Sequence, residues 1–205
     1  MLMMTACAKS DTVETPKETE KIEETAQEKI QKTLSEMTSY VTSAVVTYIS
    51  NKGSNVYETL QHVRMSGEYR IEVTGPENAQ GNVTFSDGNT ITQYNKKIEG
   101  RISVGISENM ERSELLLSSF MKNYANSLEV SVSVANLDDG ECTVLEATVP
   151  NNHPYIRTQK LWISNETLKP VRMVIYDGAG SERIIIDYTD FEYNVDIPDS
   201  LFTMN

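Results

Sequence analysis

Two histidines, two cysteines and one tryptophan among 205 residues leave little material for chemistry. A hydrolytic site of the nucleophile-and-base kind needs a serine or cysteine beside a histidine that a third group orients. The histidines are His62, in the strand-like TLQHVRM, and His153, in the loop NNHPY. Neither has a second His or Cys at zinc-ligand spacing such as HxxxH or CxxC. Both read as ordinary surface or turn residues, and the expectation is a protein with no catalytic residue, no metal and no cofactor. Basic residues are also scarce: 18 Lys and Arg stand against 30 Asp and Glu, a net charge of -12. Nucleic-acid binding and a polybasic membrane patch are therefore both excluded, because each needs clustered cations. No stretch past Cys7 approaches the roughly 20 apolar residues of a transmembrane helix. With Cys7 set aside, Cys142 has no partner inside the chain, so no disulfide framework can form.

What is present begins with MLMMTACAKSD. Met4-Thr5-Ala6-Cys7 has the form of a bacterial lipobox, with small residues before a cysteine and Lys9, Ser10 and Asp11 directly after it. The apolar run is shorter than the roughly 7–15 residues of a signal sequence, so Met1 to Ala6 reads as the stump of one whose front is missing. Cys7 is the expected lipidation site and the route to the extracytoplasmic face of a membrane. Residues 1–14 then form stump, lipobox and a polar, acidic tether.

Residues 15–38 are expected to be one amphipathic helix. Thr15-Pro16-Lys17-Glu18 supplies a cap, a first-position proline and a capping-box acid. Ile22, Ala26, Ile30, Leu34 and Met37 follow at steps of four or three, a narrow stripe expected to pack on the domain. From Ser39 the period changes to two, as in EYRIEVT, and turn signals recur at Asn51-Lys52-Gly53, Gly75-Pro76, Asp87-Gly88-Asn89, Asp138-Asp139-Gly140, Ser164-Asn165 and Asp177-Gly178. Strands are predicted over 40–50, 55–65, 68–74, 81–86, 90–95, 101–105, 128–135, 141–148, 156–163, 169–176 and 182–191. One helix, Glu111 to about Tyr124, interrupts them, with Leu115, Leu116, Phe120 and Met121 on its apolar face. The fold class is mainly β with helices (α+β): residues 39–205 form a large antiparallel sheet, curved enough to hold helices on its concave side.

Other short motifs have plain explanations. Ser119-Phe120-Met121-Lys122 fits SxxK, but no KTG follows, and Phe120 suits a core. Asp138-Asp139-Gly140-Glu141 lacks the alternating ligands of a calcium loop and suits a hairpin turn. The sequons at Asn82 and Asn165 matter only in a eukaryotic secretory route, which the lipobox argues against. Cys142 is a small hydrophobe, or, if it faces outward, a thiol that could join two chains into a homodimer.

Two longer stretches carry a resemblance. YRIEVTGPENAQGNVTFSDGNTITQYN looks like the core of the LolA-like lipoprotein-carrier fold of spore-forming bacteria. LWISNETLKPVRMVIYDGAGSERIIIDYTDFEYNVDIPDSLF resembles its closing hairpins, through the Leu-Trp strand, Pro170, Asp177-Gly178 and the terminal run from Asp196 to Phe202. The similarity spans about Tyr40 to Phe202 and is closest to the germination lipoproteins of clostridia. It implies an eleven-stranded half barrel and a place in the forespore or spore envelope. It further implies a non-catalytic partner that activates an N-acetylmuramoyl-L-alanine amidase of the CwlD type, the zinc enzyme that prepares cortex muramic-δ-lactam for germination. The alternative is a carrier of lipid or another apolar ligand, with unknown ligand residues, although a Cys7 anchor departs from the soluble carriers of this type.

Overall fold

The computed structural model describes residues 24–106, 114–138, 140–150 and 155–203. Its core element is one antiparallel sheet of eleven strands: β1 (Ser39–Ser50), β2 (Gly53–Arg64), β3 (Glu68–Gly75), β4 (Val83–Asp87), β5 (Thr90–Asn95), β6 (Gly100–Gly105), β7 (Val130–Leu137), β8 (Gly140–Thr148), β9 (Thr158–Ser164), β10 (Pro170–Tyr176) and β11 (Glu182–Tyr193). The spatial order is β6-β5-β4-β3-β2-β1-β11-β10-β9-β8-β7. Two hairpin meanders are thus joined where β1 lies against β11, and the eleven predicted strands are all present. Turn chemistry accounts for their regular ends. Gly53, Gly88 and Gly140 take φ of +129°, +90° and +121°, which a side-chain-bearing residue adopts only with strain.

Alternation decides which face is covered. On β1 the even positions Tyr40, Thr42, Ala44 and Val46 are buried, while the odd positions from Val41 onward are only half so. Paired residues continue one row across the second meander: Val46 faces Ile186, which faces Met173, then Leu161, then Leu145. Helix α2 (Leu117–Asn126) joins this row through Leu117 and Phe120, and helix α1 (Ala26–Ser35) adds Ile30 and Leu34, with Met37 just after it. All belong to one apolar cluster, so the stripe of α1 is core. Burying such side chains contributes about 1.5–3 kcal/mol each.

The helix starts differ from expectation. Thr25, in extended backbone at φ -66° and ψ 159°, caps α1, and Glu28 closes a capping box with it. The expected start at Thr15 and the stripe residue Ile22 lie outside the described residues, as do Cys7 and the 1–14 tether. The second helix begins at Leu117, not at Glu111, which is also outside the described residues. Leu116 and Leu117 are fully buried, whereas Leu115 and Met121 are only partly so. The reason is long-range. Leu116, at the cap position, has no side-chain hydrogen bond to offer. Instead the Leu117 N–H donates to the Tyr40 hydroxyl of β1 at 3.0 Å, in the buried interior.

On the convex face the terminal run DIPDSLF folds back. Ile197 and Phe202 are buried, and the Arg64 guanidinium lies 4.9 Å over the Phe202 ring. Arg64 also donates to the Ile197 carbonyl and to Asp199 Oδ1, the latter at 2.6 Å.

Candidate binding surfaces

On the concave side of the first meander Gln61, Val63 and Tyr69 are buried, and the sheet opens beyond them. A trough of about 1000 Å³ remains on the concave side of β1 to β6. Its floor comes from inward positions on successive strands, aligned by register: Ile71 faces Thr84, Thr84 faces Gln93, and Gln93 faces Ile102. Leu115 and Ile184 form the wall towards the helical half. Tyr48 and Tyr57 meet edge to face at 5.9 Å near the mouth. Tyr48 keeps 37% of its surface exposed. Burial of the rest, with the negative charge of Glu114 nearby, pushes its phenol up to about 12, so it is a neutral hydrogen-bonding group near neutral pH.

The chemistry of this lining is that of binding. Aliphatic and tyrosine side chains alternate with Thr59, Thr84 and Gln93, and Glu114 and Arg101 are its charged members. Among the described lining residues there is no histidine, cysteine or serine. The trough can hold an elongated group that is apolar along most of its length and makes a few hydrogen bonds. The lining takes single residues from several successive strands, so no local motif announces it.

The residues singled out in the sequence lie elsewhere. His62 projects from β2 opposite Val41 and Arg70, on the convex face. Its Nδ1 is buried without a hydrogen-bond partner among the described residues. Burial, then the Arg70 charge, lowers its ionisation below the usual range, so the ring is neutral at pH 7. His153 and Cys7 are outside the described residues. Cys142 is 3% exposed on β8, so it does not present an outward thiol. Ser119 and Lys122 lie on α2, and Asp138 follows the end of β7. Asn82 and Asn165 serve local bonds: Asn82 Oδ1 accepts from Lys96 N at 3.0 Å, and Asn165 Nδ2 donates to Glu141 at 2.7 Å.

A second surface was not anticipated. The last strand in the sheet order, β7, exposes Val130, Val132 and Val134 on the concave side, beyond the reach of α2, and Leu128 just before it is fully exposed. The sequence signal was the uncharged alternation VSVSV, which also reads as an ordinary half-buried strand.

Comparison with known proteins agrees with this architecture. A family model described as YdcC, sporulation protein YdcC-like, matches residues 12–202. The structure of the CwlD amidase from Clostridioides difficile in complex with the GerS lipoprotein matches at 26% identity and a TM-score of 0.51, covering 91% of this chain and 100% of that one. An uncharacterised conserved protein from Thermus thermophilus matches at 12% identity and a TM-score of 0.55, over 86% and 90% of the two chains. A domain assigned to outer-membrane lipoprotein sorting, from Vibrio parahaemolyticus, matches at 10% identity and 0.50, over 86% and 94%. The last two show the fold alone, and it is the carrier-type fold that the sequence resemblance implied. No curated protein matches the sequence.

Proposed function

The chain belongs to the family of YdcC-like sporulation proteins, and on that premise we propose that it is a non-catalytic lipoprotein that binds and activates a CwlD-type cortex amidase. The observation that carries the reading is the 26% identity, across 91% of the chain, to a structure of GerS with its amidase. Supporting it, the trough offers aliphatic, tyrosine, amide and hydroxyl groups suited to contact with a partner. Activation needs no chemistry from this chain. A partner that binds the competent, zinc-loaded form of an enzyme more tightly than the empty form raises the population of the former. Cys7 carries the lipid, residues 8–14 act as the tether, and the protein works at the extracytoplasmic face of the forespore membrane.

The test mixes the purified protein with a cortex amidase from the same organism and measures co-elution and peptide release. Complex formation with faster release is expected. Absence of a complex at about 50 µM, well above the affinity of a working regulatory pair, refutes the proposal.

The trough favours a second reading. Its volume of about 1000 Å³ and the aliphatic and tyrosine side chains in its lining suit a carrier of lipid or another apolar ligand. Mass spectrometry of natively purified protein decides: a stoichiometric lipid, together with no amidase complex, selects the carrier.

A further inference from the structure

Sheet edges in natural proteins are blunted by lysine, proline, a bulge or a covering element, because open backbone groups invite another strand. The opposite edge, β6, follows that rule: it is short, bounded by Gly100 and Gly105, and carries Arg101. Strand β7 has none of these devices. Its register against β8 runs from Val130 opposite Ala147 to Leu137 opposite Gly140 without a shift. From Val130 to Leu137 it contains no charge and no proline. Among the described residues β8 is the strand bonded to it, so every second residue of β7 turns its backbone N–H and C=O away from the sheet. Val130, Val132 and Val134 are 48%, 38% and 63% exposed on the concave side of this edge, continuous with Leu128.

The charges around the strand select the occupant. Glu129 stands at its start, with its N–H donating to the Ser127 hydroxyl at 3.2 Å, and Asp138 and Glu141 stand at its other end; all three are exposed. A second copy pairing antiparallel along the strand keeps like faces of the pleat together, with Val130 opposite Asn136 or Asp138, and lays the start of each strand beside the end of the other. Either register brings the acidic start of one copy's strand, Glu129, beside the acidic end of the other's, Asp138 and Glu141, and clustered like charges disfavour the pair. The net charge of -12 on each chain adds to the repulsion. The complement is a neutral, β-prone strand flanked at both ends by lysine or arginine.

We infer that β7 is the docking edge for the amidase, which adds an extended segment with basic flanks to the sheet and packs its alternate side chains on Leu128 and the three valines. The inference rests on the amidase-partner reading above. The amidase backbone supplies the hydrogen bonds, and the carboxylates at the two ends fix its direction and register.

The experiment titrates the full-length protein and two variants into the purified amidase by calorimetry at low and high salt. Val132→Lys places a charge on the concave strip at an exposed site. It should weaken binding at least tenfold while leaving the unfolding midpoint unchanged. Glu129→Lys with Asp138→Lys should weaken binding several-fold at low salt, with the difference shrinking as salt rises, because exposed charges are screened. This second variant decides the matter should the first fail to fold. If the unaltered protein binds the amidase and both variants bind equally well, the edge assignment falls while the amidase reading stands. If the unaltered protein does not bind, both fall. A self-association of the unaltered protein that Val132→Lys abolishes would overturn the assignment in favour of a second copy.

Discussion

Replacing Tyr40 with phenylalanine isolates one hydrogen bond on which the join between sheet and helix depends. Tyr40 and Leu117 are both 0% exposed, and the Leu117 N–H donates to the tyrosine hydroxyl at 3.0 Å. Burial pushes the phenol well above its ordinary ionisation range, so it is the neutral hydroxyl that accepts. Phenylalanine keeps the ring and its stacking on Phe191, with centroids 5.1 Å apart. The packing therefore changes little, while a buried N–H at the first turn of α2 is left with no acceptor. A stranded buried donor costs about 1–3 kcal/mol. In a chain of this size 1 kcal/mol moves the midpoint by about 2–4 °C, so the melting temperature should fall by roughly 2–12 °C. Urea unfolding should show the same loss with an unchanged slope, since the area exposed on unfolding is the same. Tyr193→Phe provides the comparison. Its hydroxyl donates to the Leu168 carbonyl at 2.8 Å at a partly buried site, and the stranded group there is an acceptor that solvent can approach. A Tyr40→Phe midpoint within about 1 °C of the unaltered protein would refute the view that β1 caps the helix.

Four further outcomes are expected. Leu117→Ala should cost about 2–5 kcal/mol in urea unfolding, and Leu115→Ala distinctly less, because Leu115 is only partly buried against the trough. The lowered ionisation of His62 means that the unfolded chain takes up its proton first as pH falls. Stability should therefore decline below the ordinary histidine value of about 6.5, and His62→Gln should flatten that limb of a melting-temperature profile. Asp177 is held below the usual carboxylate range by the Ser181 N–H and the Arg183 guanidinium, so its contribution is present above about pH 4 and lost below it. Asp177→Asn should remove that acid-side dependence in the same profile. Expressed with a complete signal sequence, the protein should partition with membranes and Cys7→Ala should not; equal partitioning would show that Cys7 carries no lipid.

The strands were legible because their boundaries are local. Each hairpin carries its own turn residues, and alternation between them assigns the faces. Helix starts were less so, for two distinct reasons. The first helix offers two stretches of the form T-x-x-E, Thr15 to Glu18 and Thr25 to Glu28, and the proline after Thr15 favours the first locally; among the described residues Thr25 and Glu28 close a box. The second helix is capped by Tyr40, far away in sequence, so the nearby residues suggested a start six positions too early and put Leu115 in place of Leu117. The trough was invisible for a related reason. Ile71, Thr84, Gln93 and Ile102 form one row only once four strands are in register. The open edge was half visible: VSVSV marks a strand, but its place in the sheet order is a property of the whole topology.

That topology has a consequence for how the chain is made. The seam of the sheet is the pairing of β1 with β11, where Tyr40 meets Tyr193 and Ala44 meets Tyr188. The first strand out of the ribosome or the translocation pore must wait for the last before the two meanders become one sheet. Contacts so distant along the chain are formed late and slowly, because a long loop must close before they repay it. Until then β1 is itself an edge, with Tyr40, Ala44 and Val46 uncovered. The interval between emergence of β1 and arrival of β11 is the period in which this protein is exposed to aggregation. A chain stopped before Glu182 leaves the edge of β1 that faces away from β2 unpaired and never leaves that period.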